Sequence, residues 1–404
     1  MKSLTNTNLK NKKVLFRVAY DISLDKKNGK YVVTDNTRIT ATLKTLKYLL
    51  NNNCSVVVMS WLGRPGGKVD KKYSLAPVAN ELARLIKKPV KLTNSCQGKT
   101  TTQQVKDLQP GEILMLENVR FCKDEDNKNF KASKGFVFDC DIIVFDAFAQ
   151  AHRDVPSVIG ILKYIPVVAG FLVEKEKHAL NQIIQKPKKP YVVIVGGAKI
   201  DDKIEYVKSF LKKADKVLLG GGLANTFLKA QGIQVGKSKI NSGGKGIVKR
   251  ERDFDVVKQA ASLLRKYKSK IVLPVDFVVA SDISQTAKTK IYKIGDELKP
   301  SWRLLDIGPE TIELFSNEIK KAKSVFWNGP VGVFEIDKFS KGTKGVALAM
   351  AKNKQAFTVI GGGDTEKAIS KFKLGSKYSH ISTGGGASLE YVSSGNLPVF
   401  KILK

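Results

Sequence analysis

Acidic side chains are scarce in this 404-residue chain: 37 Asp and Glu stand against 70 Lys and Arg, a formal charge of +33 at pH 7. Such an excess suits an anionic partner, whether a phosphorylated small molecule, a nucleic acid or a membrane surface. The lysines are dispersed through every segment, however. That favours solvated faces over a nucleic-acid-binding arm, and nucleic acid is not expected as a partner. Long apolar runs are missing too. YIPVVAGFLV (164–173) is the longest apolar-looking patch, well short of the roughly 18 residues of a membrane span. The opening MKSLTNTNLKNKK contains no hydrophobic signal core, which predicts a cytoplasmic protein. Cysteines number only four, Cys54, Cys96, Cys122 and Cys140, with no CxxC pair. This predicts reduced thiols and no structural zinc. The three histidines, His152, His178 and His380, give no credible triad. Nucleotide fingerprints are missing as well. GIQVGKS (232–238) has one residue too few between its glycines for a P-loop and follows no strand, and no G-x-G-x-x-G follows the first strand.

What is present is an alternation of short apolar strands with longer amphipathic stretches. KVLFRVAYDI (13–22), CSVVVMS (54–60), EILMLEN (112–118) and DIIVFDAF (141–148) read as strands. TDNTRITATLKTLKYLLNN (34–52), with Thr34 or Asp35 as cap, and SLAPVANELARLIKK (74–88) read as helices. A second set follows Pro190: YVVIVGGAK (191–199), KVLLGGGLA (216–224), KIVLPVDFVVA (270–280), SVFWNGPVG (324–332) and FTVIGGGDT (357–365). The rhythm predicts an α/β fold of two Rossmann-like doubly wound domains with mainly parallel sheets. Between them FLVEKEKHALNQIIQKPKKP (171–190) reads as a hinge helix stopped by Pro187 and Pro190.

Four strand ends in the second half run into glycine turns, GGAKIDDK, GGGLANTF, NGPVGVFE and GGGDTEKA. Glycines admit close backbone approach, and a following helix presents its N–H groups to phosphate. Lys199 and Lys203, four apart, share a helix face suited to phosphate oxygens, or form a solvated face. Asp364 suits Mg2+ beside substrate phosphates, or caps its helix. Glu335 could accept a ribose hydroxyl or be an ordinary surface glutamate. The first half offers arginines instead. Arg64, Arg120 and Arg153 each follow a strand end, and Arg38 lies near a helix start. Several guanidinium groups on one rim suit a small anion with two acidic groups.

The motifs DNTRI, LGRP, LENVRF, DAFAQAHR, VAGFLVEKE, GGAK, GGGLANTFLKA, WNGPVGVFE, GGGDT and SHISTGGGASLE, in this order, give a close resemblance to phosphoglycerate kinase from about residue 12 onward. The resemblance implies phosphoryl transfer between 1,3-bisphosphoglycerate and ADP, with Mg2+ as cofactor, in a glycolytic, cytoplasmic, monomeric kinase. It implies a glycerate-binding domain at 1–170, a hinge helix at 171–190, a nucleotide-binding domain at 191–385, and a segment, 386–404, returning to the first domain. Arg64, Arg120 and Arg153 would hold the glycerate phosphate, and Arg38 the carboxyl end and the transferred group. Lys203 and Gly363 would complete the catalytic set. Gly197, Lys199, Gly221, Gly222, Asn328, Pro330, Glu335, Gly361, Gly362, Asp364 and Thr365 would surround the nucleotide, Asp364 meeting the metal.

The chain departs from the family pattern mostly on the glycerate side. SHLGRP is SWLGRP, placing Trp61 for histidine. RVDFNVP is RVAYDIS, placing Ala19 for Asp and Asp21 for Asn. Phe145 and Val155 replace Asn and His in the DAF segment, and Asp201 replaces Ser after GGAK. Positions 19 and 21 of a strand share a face, so the lost carboxylate could have migrated to Asp21 and still bind substrate. Two functions remain open on sequence alone: a kinase with an altered glycerate site, or a nucleotide-binding protein that has lost it.

Overall fold

The computed structural model describes residues 3–197, 203–240 and 256–403. Two compact units emerge, Met1–His178 with Asn396–Lys404, and Ala179–Gly395. The boundary falls inside the helix Phe171–Ile184, which is shorter than the 171–190 expected. The helix Gly386–Ser394 groups with the second unit and Asn396–Lys404 with the first.

The first unit is built on six parallel strands in the spatial order Lys91–Leu92, Ile113–Met115, Ser55–Met59, Lys13–Val18, Ile142–Asp146 and Val167–Ala169. Ser55–Met59 and Ile142–Asp146 are buried along their whole length, as a parallel strand covered on both faces demands. Chain order reverses around Lys13–Val18, which pairs with Ser55–Met59 on one side and Ile142–Asp146 on the other. Such a reversal opens a crevice at the carboxyl ends of the strands. The helix Thr37–Asn51 buries Ile39, Leu46 and Leu49 in the core with Val14, Phe16 and Val56. Asp35 accepts the Thr37 N–H at 2.9 Å, satisfying one orphan donor at the helix start.

The second unit repeats the plan with Ile271–Val272, Lys216–Leu219, Tyr191–Val195, Ser324–Asn328, Phe357–Gly361 and His380–Ile381, all parallel. Here the order reverses at Tyr191–Val195. KIVLPVDFVVA, expected as one strand, is two. Ile271–Val272 joins the parallel sheet. Asp276–Ala280 lies between Lys290–Lys293 and Arg303–Ile307 in a separate antiparallel sheet. Pro274 separates them, because proline has no N–H for a ladder. Phe277, Val279, Tyr292 and Leu304 give this small sheet its own core with Leu228 and Val235.

The expectation of four reduced thiols is corrected. Cys96 and Cys122 form a disulfide with Cα atoms 6.5 Å apart, inside the usual range for the bond. A search for closely spaced pairs misses it because the partners are 26 residues apart. Cys54 and Cys140 stay free and buried, their thiols pushed up by burial to about 11 and about 12. Among the described residues no helix is long and apolar enough to cross a membrane.

Candidate active site

Because the first sheet is parallel, the loops after its strands emerge on one edge. Asp21 follows Lys13–Val18, Trp61 to Arg64 follow Ser55–Met59, Arg120 follows Ile113–Met115, and Arg153 follows Ile142–Asp146. Arg38 is the second residue of Thr37–Asn51, and its Nη1 donates to the Asp21 carbonyl at 2.7 Å. The Asp21 carboxylate accepts the Gly63 N–H at 2.9 Å, and Arg120 Nη1 donates to the Gly63 carbonyl at 2.6 Å. Gly63, in the LGRP turn, is thus held from both sides. Asn118 fixes the neighbourhood further: its Nδ2 donates to Leu62 O at 2.7 Å and to Tyr73 O at 2.9 Å, while its Oδ1 accepts the Arg120 N–H at 3.0 Å. Arg64 and Arg153 are exposed, whereas Arg38 and Arg120 are half-buried.

The shared-face reading of positions 19 and 21 needs correction. The strand ends at Val18, so strict alternation does not reach them. The Asp21 carboxylate accepts from the LGRP turn. Phe145 is fully buried in its strand and Ala19 nearly so.

Trp61 is also buried, 2% exposed, and two guanidinium groups lie over its ring, Arg17 at 4.7 Å and Arg120 at 4.2 Å from the centroid. Arg17, Glu125 and Ser157 are parts of this region that sequence reasoning missed. An arginine inside a strand carries no local signal of its partners. Burial lowers the Arg17 guanidinium to about 9, with Glu125 opposing, and burial raises the Glu125 carboxyl. Burial lowers Arg120 as well, with Asp21, Asp126 and Glu125 opposing and Arg153 adding to the fall. His152, pushed down to about 4 by burial and by Arg153, is neutral at physiological pH. Its Nδ1 is buried without a hydrogen-bond partner among the described residues.

In the second unit the four glycine turns likewise leave the carboxyl ends of adjacent parallel strands. Gly196 and Gly197 follow Tyr191–Val195, Gly220 to Gly222 follow Lys216–Leu219, Gly329 and Pro330 follow Ser324–Asn328, and Gly361 to Gly363 end Phe357–Gly361 and start the helix Gly363–Lys371. The turns are stitched together: Gly196 N–H donates to Asn328 O at 2.9 Å, Gly197 N–H to Pro330 O at 2.7 Å, and Gly221 N–H to Val331 O at 3.1 Å. Lys203 opens the helix Lys203–Lys213, and its Nζ donates to the Gly196 carbonyl. Gly329, at φ +92°, accepts from Trp327 Nε1 and donates to Thr365 Oγ1, both at 2.7 Å. A Cβ on Gly362 would come within 2.8 Å of Asn328 Nδ2, so these two expected nucleotide residues adjoin. Space is open around Gly363, and Asp364 is exposed in the first turn of its helix. The first N–H groups of that turn have no intrahelical partner. Glu335 is exposed, its carbonyl accepting from Lys371. Lys199 and Asp201 lie outside the described residues.

Among the described residues no group of three or more His, Cys, Asp or Glu could cage a metal ion. A lone exposed carboxylate beside helix amides suits a cation that also takes phosphate oxygens, which is the habit of Mg2+. The two edges are therefore of different kinds. One presents guanidinium groups around a braced turn, suited to a small polyanion. The other presents side-chain-free backbone, a lysine and a helix start, suited to a chain of phosphates.

The phosphoglycerate kinase family model matches residues 4–395. The phosphoglycerate kinase of Pseudothermotoga lettingae is 45% identical over 400 residues, 98% of each chain. That of Thermosipho africanus is 44% identical over 98% of this chain and 96% of its own. The solved phosphoglycerate kinase of Coxiella burnetii is 37% identical with a TM-score of 0.82, covering 100% of this chain and 98% of the other. That of Pyrococcus horikoshii is 31% identical with a TM-score of 0.85 and the same coverage. The chain belongs to the phosphoglycerate kinase family.

Proposed function

We propose the residue roles by which this chain performs its family's reaction, transfer of a phosphoryl group between 1,3-bisphosphoglycerate and ADP to give 3-phosphoglycerate and ATP. Arg64, Arg120 and Arg153 bind the glycerate phosphate, and Arg38 binds the carboxyl end and the group in flight. Lys203 and the Gly363 N–H neutralise charge on that group. Gly197, Gly221, Gly222, Asn328, Pro330 and Glu335 frame the nucleoside, and Lys199 with the Gly361 to Thr365 segment binds the phosphates. Gly197 and Gly221 contribute by their lack of a side chain, since their N–H groups are already given to Pro330 and Val331. Asp364 is the carboxylate for Mg2+, which when bound supplies charge neutralisation at phosphate oxygens.

The observation that carries the reading is the meeting, at the carboxyl edge of each sheet, of residues far apart in sequence: arginines on one, glycine turns with Lys203 on the other. No general base is required, because the reacting carboxylate and phosphate oxygens carry no proton to remove, and positioning with charge neutralisation dominates. A neutral His152 fits that chemistry. A cytoplasmic monomer completes the proposal on the family resemblance. Sedimentation at twice the chain's mass would refute the monomer.

The test is a coupled assay of ATP formation from 1,3-bisphosphoglycerate and ADP. Arg38→Ala and Lys203→Ala should each lower kcat by about a hundredfold or more while the far-ultraviolet circular dichroism stays native. A wild-type rate no higher than that of either variant would overturn the roles.

A further inference from the structure

Trp61 stands where the family motif has histidine, a side chain that can exchange hydrogen bonds with a bound anion. An indole has one donor and no acceptor, and at 2% exposure this one is sealed from any ligand. It has not simply been packed away, because Arg120 Cζ lies 4.2 Å from its ring centroid. One edge of that guanidinium is fixed by the Gly63 carbonyl at 2.6 Å, which leaves further N–H donors for an anion. A ring face at this distance restrains the remaining freedom, the plane of the fork, and the orientation of that plane decides whether an arginine meets a phosphate bidentately.

The ring is itself braced. Arg17 Cζ lies 4.7 Å from the same centroid. Arg17 is fully buried, with Nε donating to Ser157 O at 2.7 Å, Nη1 to Val18 O, and Nη2 to Ser157 Oγ at 3.4 Å. Ser157 donates through its N–H and its Oγ to Glu125, at 2.9 and 2.7 Å. Burial and these polar partners hold the guanidinium in place, and it braces the indole beside it.

We propose that Trp61 is a positioning residue for substrate: it sets the plane of the Arg120 guanidinium, doing by stacking what a histidine here would do by hydrogen bonding, and the Glu125–Ser157–Arg17 chain holds it in place. This rests on the assignment of Arg120 to the glycerate phosphate. The substitution then retunes the site instead of abolishing it.

The experiment compares wild type with Trp61→Leu, Trp61→Phe and Arg120→Ala in steady-state kinetics with 3-phosphoglycerate and ATP. Trp61→Leu should raise KM for 3-phosphoglycerate roughly thirtyfold, the size of a desolvated cation–π contact, with KM for ATP changed less than about twofold. Trp61→Phe keeps a ring face and should restore KM to within about threefold of wild type. A second readout needs no turnover. Saturating 3-phosphoglycerate should change the intrinsic tryptophan fluorescence of wild type, and the change should be lost in Trp61→Phe, which retains Trp302 and Trp327.

Equal effects of Leu and Phe, parallel rises in both KM values, or a fluorescence change that survives Trp61→Phe would each overturn the proposal. If Trp61→Leu fails to fold, Trp61→Phe and the fluorescence difference still decide. An unaltered KM in Arg120→Ala, with wild type active, would refute this inference and leave the kinase reading intact. A wild type inactive with both substrates would remove the reading beneath it.

Discussion

Asp146 is fully buried, and burial pushes its carboxyl from an ordinary 3.8 up to about 7. It survives there because Thr45 Oγ1 donates to one oxygen at 2.6 Å and the Val173 N–H to the other at 3.0 Å. Between those two values the folded chain holds a proton that the unfolded chain has released. Stability from this group is therefore highest below about pH 4 and is lost as pH rises toward 7, at no more than about 1.4 kcal/mol per unit. Asp146→Asn cannot ionise: its Oδ1 can accept the Val173 N–H while its Nδ2 donates to Thr45 Oγ1, reversing that bond. Its stability relative to wild type should rise between pH 5 and pH 7.5 in urea titrations, and a pH-independent difference would contradict the buried charge. The identity of this aspartate was legible in the DAF motif, but its protonation was not. The residues that hydrogen-bond it come from two helices, Thr37–Asn51 and Phe171–Ile184.

The glycine turns belong to the scale of elements. A Cβ on Gly329 would stand 2.2 Å from the Gly196 carbonyl oxygen and 2.8 Å from Lys203 Nζ. At φ +92° any side chain is also strained, at a cost of about 1–3 kcal/mol. Gly329→Ala should therefore push apart two neighbouring strand ends and displace Lys203. We expect a rise of roughly tenfold or more in the Kd for Mg-ATP, of the size of losing a charged hydrogen bond, with 3-phosphoglycerate affinity unchanged, both measured by calorimetry. Unaltered ATP affinity would separate this turn from the nucleotide site. The sequence marked the turn as a glycine in NGPVG. What it could not mark is that the crowding atoms come from GGAK, over a hundred residues earlier, which only the pairing of Ser324–Asn328 with Tyr191–Val195 brings close. Element boundaries show the same limit: Pro274 marks a break within KIVLPVDFVVA, but which sheet each half joins is decided by partners elsewhere.

Across the whole molecule, with 70 Lys and Arg against 37 Asp and Glu, ion pairs compensate the surplus charge only in part. In the first unit, lysines near the amino-terminal sheet edge meet acids: Lys12 with Asp141 at 3.9 Å, Lys91 with Glu112 at 2.8 Å, and Lys106 with Asp139 at 3.7 Å. In the second unit Lys216, Lys270 and Lys323 stand at strand starts, and Lys213, Lys320 and Lys352 at helix ends. Among the described residues the acid paired at those strand starts is Asp215, with Lys189 at 3.0 Å. Helix carboxyl ends favour such cations locally, yet together they repel. Raising NaCl from about 20 to 200 mM shortens the screening length to below 10 Å and should raise the thermal midpoint. A lowered midpoint would mean that the ion pairs outweigh the repulsion. Composition, strand rhythm and the order of the motifs were enough to give two doubly wound units, the family and its expected site residues, because each of these is written in local patterns of apolar, glycine and charged positions. The Cys96–Cys122 bond, the engagement of Asp21 with Gly63, and the stacking of Arg17 and Arg120 on Trp61 were decided only by the folded structure. They depend on which distant loops the parallel register delivers to the same edge, and no spacing along the chain encodes that distance.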